Sequence, residues 1–278
     1  MDRPAPLSVE LEGVRIHLAH PDELHVDWVG RRETLKQLLA AWSVVAEADV
    51  PMSPRLLGKP GVGKTTLAYA AGRAIGRPVY IFQATMDTRP EDLLITPVVD
   101  KQGAIRYVAS PLVTAMIQGG AAILDEGNRM SEKAWASLAP LLDNRRYVES
   151  IVAGVKVSAD PEFRLVATMN DDASTYELPE YIHSRLQPQI FLDFPEHDDE
   201  RRILSANLPF SDDEILEYVT GFLQRAHNAD ESYTVRDGVN IARYSLKLLQ
   251  ECETQPKRAL RDSITRILGE DALRHLED

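Results

Sequence analysis

The apolar positions along this chain change period several times, and each change marks an element. Segments 8–11 and 14–18 alternate apolar and polar residues around Glu12-Gly13, which predicts a hairpin. After Pro21, Val26-Asp27-Trp28-Val29-Gly30 leads into a helix predicted over about 31–47, where Leu35, Leu38, Leu39 and Trp42 recur at three- and four-residue spacing. Short apolar runs at 55–57, 78–82, 121–124, 163–169 and 189–194 read as strands buried on both faces. Between them, 65–75, 90–94, 112–117 and 178–186 read as helices. Hairpins are predicted at 97–108, around Lys101-Gln102-Gly103, and at 146–157, around Ala153-Gly154. Beyond Pro195 the pattern is helical throughout: 201–207, a helix opened by the box Ser211-Asp212-Asp213-Glu214, then 234–249 and 258–273. Strands alternating with helices, followed by helices alone, predict an α/β domain with a parallel sheet and a smaller helical domain. The division is an N-terminal hairpin segment at 1–25, a core at 26–195 and a helical lid at 196–278.

The chemistry gathers at the C-terminal ends of these strands. Gly58-Lys59-Pro60-Gly61-Val62-Gly63-Lys64-Thr65 satisfies G-x-x-x-x-G-K-[ST], between a predicted strand and a predicted helix. A triphosphate needs several backbone N–H groups turned inward, and a glycine-rich turn lets the backbone come that close. Gly58, Pro60, Gly61, Val62, Gly63, Lys64, Thr65 and Thr66 are therefore the phosphate-binding candidates. Lys64 reaches the β- and γ-phosphates, and the Thr65 hydroxyl goes to Mg²⁺. The run 121–124 ends in Asp125-Glu126. Asp125 is the second Mg²⁺ candidate and Glu126 the base that polarises the attacking water. The run 163–169 ends in Asn170, whose amide can orient that water or simply cap the turn into Asp171-Asp172. Val29 and Gly30 are candidates for the wall against the base, with an ordinary strand end as the alternative.

Composition changes this picture little. The 278 residues are 44% apolar, enough for a packed core, and carry a net charge of −12, which argues against a whole-surface nucleic-acid binder. The single cysteine, Cys252, fits a reducing compartment. The start lacks an apolar signal segment, and no run approaches the roughly 18 apolar residues of a membrane span. A cytoplasmic protein is expected.

The order of these motifs resembles the AAA+ ATPases, and among them the MoxR group with its CbbQ/NorQ and dynein-related relatives. Asp125-Glu126-Gly127-Asn128-Arg129 resembles that group's D-E-x-N-R. Leu178-Pro179-Glu180 followed by Ser184-Arg185-Leu186 resembles L-P-E-A…D/S-R-F, and Thr234-Val235-Arg236-Asp237 resembles S-P-R-A. The resemblance implies a P-loop fold with a five-stranded parallel sheet in the order 5-1-4-3-2, β-hairpin inserts and a helical lid. It implies ATP and Mg²⁺ as ligands, with Asn170 as sensor 1 and Arg236 as sensor 2 in the lid. Arg185 would be an arginine finger supplied to a neighbouring subunit. A finger in trans forces an oligomer, and the group usually forms hexameric rings. Arg258 is the rival of Arg236. Arg185 has the alternative of pairing with a surface carboxylate, and Arg129 could also reach a neighbour's site. Relatives often remodel or help assemble a partner complex, frequently with a von Willebrand factor A domain protein. The two inserted hairpins would then face the substrate or the pore, or merely decorate the sheet edge. Gly127 and Asp171-Asp172 depart from the MoxR pattern and put partner and client in doubt. The alternative function is a McrB-like nucleic-acid motor or defence subunit.

Overall fold

The computed structural model describes residues 7–24, 28–171, 178–252 and 255–276. Val26-Asp27 and Asp172, named above, lie outside them. The chain divides into two units: one of residues 7–24, 32–58 and 64–191, the other of residues 28–31, 59–63 and 192–276.

The first unit opens with strands β1 (Ser8–Leu11) and β2 (Val14–His17), then helix α1 (Arg32–Trp42). The alternating wheel of α1 continues past Trp42 in sequence, but the helix stops there. The Asp49 carboxylate accepts from the backbone N–H groups of Val45 and Val50, giving them a partner outside the helix, and Val45 is left exposed. Next come β3 (Arg55–Gly58), α2 (Lys64–Ala74), β4 (Val79–Gln83) and α3 (Pro90–Leu93). The inserted hairpin is β5 (Ile95–Val99) and β6 (Ile105–Ala109). Helix α4 (Pro111–Gln118) has a complete set of end signals. Ser110 caps it by accepting from Val113 N–H at 3.1 Å, Pro111 takes the first turn, and Gly119 ends it at φ 62°. Then follow β7 (Ala121–Asp125), α5 (Glu132–Leu138), the hairpin β8 (Tyr147–Ser150) and β9 (Val155–Ser158), β10 (Arg164–Asn170), α6 (Glu180–His183) and β11 (Gln189–Phe191).

The main sheet is parallel, in the order β11-β3-β10-β7-β4. This is the 5-1-4-3-2 order expected. The central strands are the apolar runs: Ala121 to Leu124 and Leu165 to Met169 are buried without interruption. A Cβ on Gly72 of α2 would lie 2.6 Å from Val79 Cγ2, so the helix packs hard on the sheet. A second sheet, β1-β2-β6-β5, joins the N-terminal hairpin to the inserted one through a parallel β2–β6 pairing. Local alternation predicts both hairpins but not that they share a sheet.

The second unit contains α7 (His197–Asn207), α8 (Asp213–Asn228), α9 (Val235–Cys252) and α10 (Pro256–Leu268) around Leu204, Val219, Phe222, Leu223, Ile241 and Ile264. The cap of α8 is Asp212, accepting from Ile215 N–H at 3.0 Å, one residue later than the predicted Ser211 box. Asp212 stands three positions before Ile215, the first buried residue of the helix, where its carboxylate meets that N–H. Helix α10 stops at Leu268 rather than 273 because Gly269, at φ 96°, turns the chain into a short 3₁₀ segment. No described helix is long and apolar enough to cross a membrane.

Candidate active site

Register brings the chemical residues together. Asn170 is paired with Gly58 across β10 and β3, while β7 on the other side of β10 ends in Asp125. Parallel strands present their C-terminal edges side by side, so the start of the phosphate loop, Asn170 and Asp125-Glu126 share one sheet edge.

Within the first unit, Lys64 is buried and its Nζ donates to Gly58 O at 2.8 Å. The Thr65 hydroxyl donates to Asp125 Oδ1 at 2.7 Å. A hydroxyl and a carboxylate held this close form a hard-oxygen pair suited to Mg²⁺, which leaves its other positions to water and phosphate. Among the described residues no group of three or more His, Cys, Asp or Glu is arranged to hold a metal ion.

Two residues not singled out as site candidates complete the cluster. Thr168 donates its hydroxyl to Asp125 Oδ1 at 2.5 Å and accepts from Glu126 N–H at 3.1 Å. It thereby fixes both neighbouring acids from one strand away. Asn128 donates through Nδ2 to Asn170 O at 2.7 Å, tying the segment after β7 to the end of β10. The only sequence signal for either is its place, Thr168 inside the strand ending in Asn170 and Asn128 inside the D-E-x-N-R string. Glu126 itself sits at φ 54°, ψ 39°, a left-handed conformation that non-glycine residues adopt at a cost of about 1–3 kcal/mol. Its carboxylate is held by Arg129 at 2.5 Å within the same chain.

Arg185 follows α6. Its Nη1 donates to Tyr181 O at 2.6 Å, and Nη2 is 3.6 Å from Asp143. Asp143 is held down to a pKa of about 2, first by its hydrogen bonds from Arg145 and less by Arg185. The alternative partner weighed for Arg185, a surface carboxylate, is thus present.

The second unit contains the middle of the phosphate loop, 59–63. Gly61 is at φ 77° and Gly63 at φ 94°. A Cβ on Gly61 would lie 2.6 Å from Thr234 Cβ, and one on Gly63 3.1 Å from the Trp28 ring, so glycine is required on both counts. Thr234 is the cap of α9, in a reciprocal pair with Asp237: each accepts from the other's backbone N–H, at 3.2 and 2.8 Å. Arg236 stands exposed in the first turn of that helix, and Arg258 exposed in the first turn of α10. Val29 and Gly30 adjoin Trp28, whose ring would be 2.5 Å from a Cβ on Gly30. Lys59 Nζ stands 5.0 Å over the Phe194 ring, which stacks on His227 at 3.9 Å.

Residues 55–186 match the model of the AAA domain, dynein-related subfamily. The Holliday junction branch migration motor RuvB of Thermotoga maritima superposes with a TM-score of 0.58 at 14% identity, over 86% of this chain and 70% of that one. The fold is that of the AAA+ ATPases. An uncharacterized protein of Staphylococcus aureus is 24% identical over 222 residues, 78% of this chain and 84% of its own length. Another, from Staphylococcus haemolyticus, is 27% identical over 172 residues, 60% of this chain and 65% of its own. The AAA+ match covers the phosphate loop, Asp125-Glu126, Asn170 and Arg185, and ends before the lid.

Proposed function

We propose that this AAA+ chain is an Mg²⁺-dependent ATP hydrolase that acts as a ring, of the MoxR type, on a protein client. The observation that carries the reading is the single edge at which Lys64, Thr65, Asp125, Glu126 and Asn170 converge. Gly58, Pro60, Gly61, Val62, Gly63 and Thr66 complete the cradle, with backbone N–H groups toward the phosphates. Lys64 trades its bond to Gly58 O for the β- and γ-phosphate oxygens. Thr65 and Asp125 would hold Mg²⁺, which neutralises developing phosphate charge when bound. Glu126 takes a proton from water once Arg129 releases it, and Asn170 orients that water. Arg236 acts from the lid; the close packing of Thr234 on Gly61 supports it over Arg258. Trp28, Val29 and Gly30 wall the base. Arg185 leaves Asp143 to reach a neighbouring subunit's nucleotide. A von Willebrand factor A domain partner rests on the sequence resemblance alone.

The test is the ATPase rate per subunit against protein concentration, for wild type, Glu126→Gln, Arg185→Ala and a 1:1 mixture of wild type with Arg185→Ala. A specific rate that climbs with concentration and is lost in each variant supports a shared-site ring. A rate independent of concentration and untouched by Arg185→Ala would remove the trans role.

One observation favours a second reading, a nucleic-acid motor. In the second unit Arg243, Lys247 and Arg266 line a groove of about 410 Å³ with Tyr244, in a chain that is acidic overall. RuvB, which shares the fold, acts on Holliday junctions. Salt-sensitive DNA binding that weakens in Arg243→Ala and Lys247→Ala would support this reading; its absence leaves the protein client.

A further inference from the structure

Three alternate residues of the phosphate loop rest on side chains of the second unit, to which residues 59–63 belong. Gly61 packs on Thr234 and Gly63 on the Trp28 ring. Lys59 is the one of the three with a side chain, and its ammonium stands 5.0 Å from the centroid of the Phe194 ring. Phe194 in turn lies flat on His227, with centroids 3.9 Å apart and planes 11° from parallel. His227 Nε2 donates to Tyr233 O at 2.6 Å, and the next residue is Thr234. The contacts therefore close on themselves. They run from Lys59 through Phe194, His227 and Tyr233 to Thr234, and return to the loop at Gly61. The chain beside the aromatic ring is also tied down, because Gln224 Nε2 donates to Pro195 O at 3.1 Å.

The function proposed above uses neither Lys59 nor Phe194. A cation over an aromatic face is attracted by the negative potential of that face. A charged imidazole behind the ring would oppose the attraction, but His227 is neutral. With Nε2 donating to a carbonyl, Nδ1 keeps the lone pair, and that atom is buried without a hydrogen-bond partner. Burial, as the largest cause, also lowers the His227 pKa, so the ring carries no charge near pH 7. The loop itself is intrinsically loose, with Gly61 at φ 77° and Gly63 at φ 94°. A loop held in its bound shape beforehand spares the ligand the cost of ordering it. We propose that Phe194, seated on His227, is a positioning residue of the phosphate loop: through Lys59 it holds the loop backbone in its anion-binding shape before nucleotide arrives. This role rests on nucleotide binding at the loop, as proposed above.

The test is a double-substitution cycle on the full-length chain, read as affinity for Mg²⁺–ADP in calorimetric titration, with thermal melting of every variant alongside. Phe194→Leu keeps apolar bulk and loses the ring face, and should weaken binding by about fivefold. Phe194→Tyr keeps the face and should bind within about twofold of wild type. Lys59→Met should weaken binding at least as much as Phe194→Leu, because it removes the side chain on which Phe194 acts. In the Lys59→Met chain, adding Phe194→Leu should change affinity by less than about twofold. Phe194→Met takes the place of the leucine variant if melting shows that the latter is unfolded at the assay temperature. An equal loss on both Lys59 backgrounds overturns the proposal, since a residue that merely stabilises the second unit acts with or without the lysine. So does wild-type affinity in Phe194→Leu. Binding that is lost in Lys64→Ala but untouched by Phe194→Leu overturns this role alone. A wild type that binds no Mg²⁺–ADP overturns the nucleotide reading itself, and the role of Phe194 with it.

Discussion

Strand β3 has a buried cation near each end, and the two are built differently. At its C-terminal end, Lys64 is folded over Gly58 O in a glycine-rich turn. At its N-terminal end, Arg55 is buried and, among the described residues, its guanidinium meets a histidine nitrogen alone. The first cation has a backbone acceptor close by and, in the function proposed above, exchanges it for phosphate. The second is a rigid fork fixed in a wall, with donors that the fold leaves unmatched. The lesson is that a motif explains a charge only where the loop around it has been shaped for a ligand.

The sharpest way to break the comparison is to remove the cation or base at the first end. Lys64→Ala and Glu126→Gln should each lower ATP turnover by at least about 10²-fold, measured by phosphate release. Glu126→Gln should retain nucleotide binding, because it acts on water, whereas Lys64→Ala should weaken it. If Lys64→Ala hydrolyses ATP normally, the two ends of β3 no longer differ in the way described.

Next in size is a cut through the strand that joins them. Leu56 is fully buried between the two cations. Leu56→Ala should cost about 2–5 kcal/mol in denaturant unfolding, from lost transfer energy and the cavity left behind. A cost below about 1 kcal/mol would mean that β3 is not a rigid bar between the sites.

A buried carboxyl in the other unit sharpens the contrast, because it escapes burial by holding a proton. Glu200 is fully enclosed, accepts from Gln224 at 2.7 Å, and is pushed up to a pKa of about 7 by burial. The folded state keeps this proton up to about pH 7, whereas the unfolded chain releases it near 4.5. Folded protein therefore binds more protons in that window, and raising the pH through it withdraws stability, by about 3 kcal/mol once above pH 7. Glu200→Gln should remove this dependence and melt higher than wild type at pH 8, with little difference near pH 4.5. Arg55 has no such escape, and Arg55→Met should show no corresponding pH step in this range. The smallest effect is local. Ser110→Ala should cost about 1 kcal/mol by uncapping α4.

Much of this molecule was legible along the chain. The phosphate loop, the apolar runs ending in Asp125-Glu126 and Asn170, the hairpins and the lid helices are each written in contiguous residues, because turn chemistry and hydrophobic period act over a few positions. The ends of helices were less legible: Asp49 stops the turn after Trp42 and Asp212 replaces Ser211 as a cap, since one carboxylate can choose between nearby N–H groups. The sequence by itself determined which residues are proposed to bind and cleave a triphosphate. Only the tertiary structure decided what holds them. Thr168 reaches Asp125 across 43 positions, Asn128 reaches Asn170 across 42, and the N-terminal hairpin finds β6 rather than solvent. The Arg55–His183 contact spans 128 positions and has no local signature at all. The run 55–57 reads as a buried strand, but nothing beside Arg55 in the chain names the histidine of α6 that its guanidinium meets, because a contact is a property of what packs against a residue and not of its neighbours in the chain.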